Sequence, residues 1–137
     1  MTITNNHLVE LGTWLSKLEL TGKESRVRTR FLKLASDRLT EVEKVRSELA
    51  GKYSKKNEAG KSEIVDGHYQ FEVEDMVKFV QEFNEVLKEE FILDVTAGNK
   101  ETLQIVKTIL LNTEQKFSGK DALWYNDVCE IFEALEA

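Results

Sequence analysis

The longest feature of this sequence is a helical apolar pattern that covers residues 23–56. Its apolar residues recur at intervals of three to five: Val27, Phe31, Leu34, Leu39, Val42, Val45, Leu49 and Tyr53. No glycine interrupts the pattern before Gly51, and the 137-residue chain contains no proline, the strongest helix breaker. Such a helix is far longer than the mean of about 11–12 residues. The pattern therefore predicts either the spine of a helical domain or a coiled-coil arm.

Four shorter segments, at 6–20, 74–90, 100–112 and 119–135, also have helical periodicity. Thr4 or Asn5 is placed to cap the first helix, and Gly22 is placed to end it. Ser118 followed by Asp121 resembles a capping box for the last helix. The helix at 74–90 carries an apolar stripe made of Met76, Phe79, Val80, Phe83, Val86 and Leu87.

Asp66-Gly67 separates two β-prone runs at 62–65 and 68–73, which is a strong signal for a hairpin with a two-residue turn. This turn would pair Ile64 with Tyr69, and the alternation of residues 69, 71 and 73 gives the ribbon one apolar face. The apolar run at 91–95 is either a third strand closing the hairpin or the end of the preceding helix, and we favour the strand.

The expected fold is therefore mainly α (α+β). It has about five helices, including the long one near 23–56, and a small antiparallel hairpin near 62–73 joined by a third strand near 91–95. Without a domain linker or an internal repeat, residues 1–137 are expected to form a single helical domain with the hairpin as an insertion.

Little in the sequence points to catalysis. Common phosphate-binding, metalloprotease and hydrolase motifs are absent. His7 and His68 have no Cys or His at metal-ligand spacing, and Cys129 falls in the last helix as a buried, inert thiol. The numerous carboxylates are interpreted as a solvated acidic face. We therefore expect no enzyme activity, no cofactor, no metal and no small-molecule substrate.

The composition limits the other classes. Hydrophobic residues make up 41% and charged residues 32%, which suits a soluble chain with a core. No apolar run reaches the roughly 20 residues that span a membrane, and the N-terminus lacks the basic region of a secretory signal. Membrane partners are therefore not expected. The net charge of −6 also makes nucleic acid an unlikely partner overall.

The charge is unevenly divided. Residues 1–56 hold 12 basic and 7 acidic residues, a net charge of +5, whereas residues 57–137 hold 7 and 18, a net charge of −11. The two halves are expected to attract each other, within one fold or between copies of the chain.

The most basic stretch, GKESRVRTRF, has two interpretations. A strand would place Arg26, Arg28 and Arg30 on one face as a phosphate-binding ribbon. A helix at about 100° per residue separates them, and the unbroken apolar pattern favours the helix. Arg26, Arg30 and Lys33 then share an exposed face with Lys23 nearby, as a candidate site for phosphate or an acidic partner.

Arg28 and Arg38 fall instead in the apolar arc of the predicted helix. We expect both to be semi-buried in structural ion pairs with carboxylates of the acidic half, or bonded to helix carbonyls. An unpaired arginine at such a position would be costly.

Four segments resemble a family of short uncharacterised proteins, a domain of unknown function, from tailed phages and prophages of Gram-positive bacteria. They are the pattern LxxLxLTGKESRxRTRFLKL, the strand GHYQF, the block FxxEFNEVLKEEFILDV and the ending SGKDALWYNDVCEIFEAL. The resemblance implies a phage gene product in the cytoplasm of the infected bacterial host or in the virion. It carries no activity and no site residue.

These observations lead to one main hypothesis and two alternatives. The main hypothesis is a non-enzymatic phage protein that acts through protein–protein interaction, as a minor structural or assembly component or as a binder of a phage or host protein; a homo-oligomer is included. One alternative is a nucleic-acid-binding protein that uses Lys23, Arg26, Arg30 and Lys33. The other is an inhibitor of a host defence or metabolic protein, in which an acidic surface near 72–75 and 82–90 mimics nucleic acid.

Overall fold

The computed structural model describes residues 1–135, apart from the side chain of Ala97. In chain order its elements are β1 (Thr2–Thr4), α1 (Asn5–Ser16), α2 (Gly22–Tyr53), β2 (Ile64–Val65), β3 (His68–Tyr69), α3 (Val73–Lys88), β4 (Glu90–Ile92), α4 (Ala97–Leu111) and α5 (Gly119–Glu133). The predicted fold class is confirmed, because the described residues form five helices and two small pairs of antiparallel strands.

The chain divides into two compact units. Unit 1 contains Met1–Leu39 and the described residues from Glu90 onward, and unit 2 contains Thr40–Glu89. The boundary falls inside α2, so this helix contributes its first part to unit 1 and its last part to unit 2.

The core of unit 1 is built from one face of each of its helices. Its largest fully buried side chains include Leu8, Leu11, Leu15, Phe31, Leu103, Leu110, Val128 and Phe132. Trp14 and Trp124 meet edge to face with their ring centroids 6.0 Å apart, and Phe31 lies 6.3 Å from Phe132. The apolar spacing of α1, α4 and α5 thus faces a common interior.

A strand that the sequence did not predict lies at the N-terminus. β1 pairs antiparallel with β4 in the register Thr2↔Ile92, Ile3↔Phe91. The prediction of a strand near 91–95 was right in kind, but its pairing with the hairpin was wrong: β4 belongs to unit 1 and β2–β3 to unit 2. Ile3 is only 1% exposed, so burial of this side chain supports the pairing.

The hairpin in unit 2 has the predicted turn. Asp66 and Gly67 both adopt positive φ, 51° and 78°, as a type I′ turn requires, and Ile64 pairs with Tyr69. The predicted third apolar position of the second strand is wrong. Val73 starts α3 instead and is 82% exposed.

Helix ends differ from the prediction in two places. Thr4 caps α1 by accepting a hydrogen bond from the backbone N–H of His7 (3.2 Å). Gly22, however, is the first residue of α2 rather than the end of α1, because α1 already stops at Ser16. Ser118 makes no side-chain capping bond, since the left-handed Gly119 (φ 57°) separates it from the regular turns of α5.

Candidate interaction surface

The basic patch comprises Lys23, Arg26, Arg30 and Lys33 on the first three turns of α2. All four side chains are exposed, and within residues 1–135 none of them has a hydrogen bond or an ion pair. Glu101 of α4 borders a shallow depression of 450 Å³ that Lys23, Arg26 and Arg30 also line. The helix therefore presents four uncommitted cations on one side, with one carboxylate close by.

Arg28 points away from this patch and joins α2 to the end of α1. It is half-buried, and its guanidinium donates hydrogen bonds to the carbonyl oxygens of Leu15 (3.1 Å) and Leu18 and to Ser25 Oγ (3.1 Å). The Leu15 carbonyl also accepts the backbone N–H of Leu18 (3.2 Å), and Leu18 follows the end of α1, so Arg28 ties the connection after α1 to α2. No carboxylate of the described residues pairs with it, so its contact is not an ion pair.

Arg38 joins three elements of unit 1. Its Nε donates to Oδ1 of the buried Asn5 (2.7 Å), its Nη2 donates to the carbonyl oxygen of Glu90 (2.8 Å), and its guanidinium carbon lies 5.5 Å from the ring centroid of Phe91. The side chain thereby fixes α2 against α1 and β4. The basic stretch thus contains both structural arginines and exposed cations.

The second surface is the outer face of α3, which consists of Val73, Met76, Val77 and Val80. These side chains are 82%, 42%, 52% and 44% exposed, respectively. No residue of α3 is fully buried, although the helix is strongly amphipathic. Ile64 and Val65 of the hairpin add two further exposed apolar side chains to unit 2.

The opposite flank of the α3 stripe is engaged within unit 2. Phe79 stacks between Phe71 and Phe83, with centroid separations of 5.2 Å and 6.0 Å. Tyr53, the last residue of α2, donates a hydrogen bond from its hydroxyl to the carboxylate of Glu82 in α3. The apolar stripe is wider than its own unit covers, so the outer face remains in water.

Part of the proposed acidic surface is neutralised inside unit 2. Glu82 also lies 3.7 Å from the ammonium of Lys52, and Glu72 lies 3.6 Å from that of Lys55. These partners reduce the free negative charge near 72–75 and 82–90 that nucleic-acid mimicry would need.

His7 takes part in a polar cluster that the sequence did not indicate. Its Nδ1 lies 3.0 Å from Thr4 Oγ1, and its Nε2 lies 3.4 Å from Asp127 of α5. Thr4, His7 and Asp127 place a hydroxyl, an imidazole and a carboxylate in the order found in a catalytic triad. Thr4 Oγ1, however, already accepts the backbone N–H of His7 as the N-cap of α1. The cluster is therefore better explained as a contact between α1 and α5.

Glu10 lies one turn beyond His7, and its Oε2 is buried without a hydrogen-bond partner among the described residues. Desolvation raises the pKa of this carboxyl above its ordinary value; the charge of His7 opposes the shift, and those of Asp121 and Asp127 add to it. Glu10 also lines a depression of about 430 Å³ together with Trp14, Gln115 and Phe117, and we attribute the raised pKa to its burial there.

Cys129 is buried, as the sequence suggested, and it lies beside Tyr125. Burial raises the pKa of the Cys129 thiol, which keeps it in the unreactive protonated form. Burial also raises the pKa of Tyr125 to about 12, and its hydroxyl donates to the carbonyl oxygen of Leu110 (2.5 Å).

Two further observations concern the part of the chain that the structure describes, and a third concerns its relatives. Its His, Cys, Asp and Glu residues form no group of three suited to a metal ion. None of its helices combines the length and the apolar character needed to cross a membrane. Comparison of the chain with protein-family models, with curated proteins and with solved structures finds no match in any of the three.

Proposed function

We propose that this chain is a non-enzymatic phage protein that acts by binding another protein chain through the outer face of α3. The observation that carries the proposal is the exposure of four apolar side chains on one side of α3, next to the flank that packs within unit 2 through Phe79 and Phe83. Scattered exposed apolar residues are ordinary, but a contiguous group typically marks a binding surface.

The chemistry of this face suits a protein partner. Valine and methionine side chains offer apolar area without charge, and the cores of protein–protein interfaces are depleted of charged residues. Charged side chains, such as Lys78 and Glu85, lie on the other side of α3 and keep the free chain in solution.

The phage context comes from the sequence resemblance. Within it, the protein acts either as a minor structural or assembly component or as a binder of a phage or host protein. Its place of action is the cytoplasm of the infected host or the virion.

A site-specific cross-linker tests this proposal. A photoreactive amino acid at Val80 is placed on the outer face, and the same amino acid at Lys78 provides a control on the charged side of the same helix. We expect adducts with another protein chain from position 80 and not from position 78 in phage-infected cells. Equal yields at the two positions, or no adduct at either, would contradict the proposal.

Nucleic-acid binding is the second candidate, and the four uncommitted cations of the basic patch favour it. Contacts between four cations and phosphates would give log K a slope of about −3 to −4 against log salt. A gel shift at low and high salt measures this slope, with Arg26→Glu and Arg30→Glu as variants. Absence of a shift at low salt would eliminate this candidate.

A further inference from the structure

The outward side of α3 contains a heptad pattern. Val73, Val77, Val80, Asn84 and Leu87 follow one another at intervals of four, three, four and three residues, which places them at positions d, a, d, a and d. We call these five residues the seam. The first four are exposed and Leu87 is half-buried, so the seam is open to a partner along the whole helix.

The packing of unit 2 does not account for this seam. Phe79 and Phe83, which contact the rest of the unit, lie on the flank at positions c and g. A helix that only covered its own unit would need apolar residues on that flank alone. On the adjacent side, the regular alternation of three-residue and four-residue intervals between the seam residues is typical of a second helix-packing face.

We propose that the partner of this seam is α3 of a second copy of the chain, packed antiparallel. This inference rests on the proposed function and names its partner. The seam contains no charged residue, so two copies can approach each other without burying an ionised group. A two-fold contact also requires a self-complementary surface, which one helix face against itself provides.

Charges beside the seam decide the orientation. Glu74, Gln81 and Lys88 occupy the three e positions, all exposed, and the ammonium of Lys88 also lies 3.6 Å from Glu85 in a solvent-exposed pair of the same helix. In an antiparallel pair, e positions lie beside e positions, so Glu74 of each copy meets Lys88 of the other at both ends, and Gln81 meets its own counterpart. In a parallel pair, e positions would instead lie beside Met76 and Phe83 at g, without any charge complementarity.

The size of the contact sets its strength. The 16 residues of α3 span about 24 Å at 1.5 Å per residue, which is short for an interface. We expect a contact of this length to bury less than the roughly 800 Å² per partner of a standard stable complex. Asn84 at one a position further lowers the affinity while restricting the register. We therefore expect a weak dimer, with Kd on the order of 0.1 mM.

Sedimentation of the full chain over roughly 10 µM to 1 mM measures this association. Val80→Glu puts a charge into the seam and should weaken the dimer by about tenfold or more. Lys78→Glu introduces the same residue on the opposite side of α3 and should leave the association unchanged. Far-UV circular dichroism of each variant confirms that α3 is still folded.

A charge swap tests the orientation. Lys88→Glu places Glu against Glu at both ends of the antiparallel pair, and Glu74→Lys places Lys against Lys, so each variant alone should associate several-fold more weakly. An equimolar mixture of the two variants restores opposite charges and should associate about as well as the original chain. Both substituted helices are also present in the separate samples, so the gain of the mixture over each variant alone reports on the charges across the contact.

The possible outcomes separate the two proposals. A chain that stays monomeric throughout, or a dimer that tolerates Val80→Glu, overturns the inference about a second copy. A dimer without recovery in the mixed sample overturns the antiparallel arrangement. If the chain is monomeric but position 80 still cross-links to a different protein, the proposed function stands and only its self-association fails. If neither is seen, both fail.

Discussion

Replacing Arg28 by methionine would remove the donor that Arg28 supplies to the end of α1. Methionine keeps an unbranched stem of similar length, so the change removes the guanidinium with little loss of packing. Leu15 and Leu18 would then lose their hydrogen bonds from the side chain, and the Leu15 carbonyl would retain only its backbone donors. The free energy of unfolding of unit 1 should fall as a result.

The magnitude follows from the contacts. A hydrogen bond to a charged group contributes about 1.5–3 kcal/mol when buried. Arg28 is half-buried, and water can partly replace the lost donor, so we take roughly 1 kcal/mol for each of its two carbonyl bonds. The expected loss is about 2 kcal/mol, which shifts a urea midpoint by about 1 M at a typical slope.

Tryptophan fluorescence during urea unfolding measures this loss. Both tryptophans, Trp14 and Trp124, lie in the core of unit 1, the unit that also contains Arg28. Arg26→Met is the matched control, because it removes the same group from an exposed side chain two residues away in the same helix. This control should change the free energy of unfolding by less than about 0.5 kcal/mol. Equal midpoint shifts for the two variants would refute the structural role of Arg28.

Two further predictions concern a buried carboxyl and two glycines. The pKa of Glu10 is raised in the folded chain, so its contribution to the free energy of unfolding is fully present below the ordinary pKa and is lost as pH rises. In urea titrations, Glu10→Gln should therefore raise the free energy of unfolding slightly near pH 7, and this gain should vanish near pH 4. A gain that persisted unchanged at acid pH would contradict this. Gly67→Ala should lower the stability of the hairpin by about 1 kcal/mol because φ is 78° at this position, and the backbone amide of Gln70 should then exchange its hydrogen faster. Gly51→Ala lies in a helix with open space around it and should instead raise the free energy of unfolding by about 0.5–1 kcal/mol. The reverse order would contradict the assigned turn and helix.

Local signals in the sequence were sufficient for most elements. The hairpin register and both positive φ values of its turn depend on neighbours within a few residues, and Asp66-Gly67 encodes them directly. The long helix follows from its own spacing. Its 100° per residue also separates Arg28 from Arg26 and Arg30, which the structure places on different sides.

Long-range pairing was beyond such reasoning. β1 contains three residues, too few to show an alternation, and its Ile3 pairs with Phe91 of β4, 88 residues further along the chain. The chain therefore offered a strand-like run at 91–95 and a nearby hairpin, and proximity in sequence suggested the wrong partner. For Arg28 the sequence left carboxylates and helix carbonyls open as partners, and the choice between them depends on where α1 ends rather than on any acidic residue.

The α3 stripe shows why a sequence pattern alone cannot separate a core from an interface. Its apolar residues spread over about half of the helix circumference, counted at 100° per residue, and both roles require the same side chains. The structure assigns the flank with Phe79 and Phe83 to unit 2 and leaves Val77 and Val80 in water. Apolar side chains left in water lower solubility, and a seam whose spacing repeats in sevens is better explained by a partner helix than by chance exposure. The width of the stripe was the available signal, because a helix with one neighbour needs only one apolar face and α3 has two adjacent apolar faces.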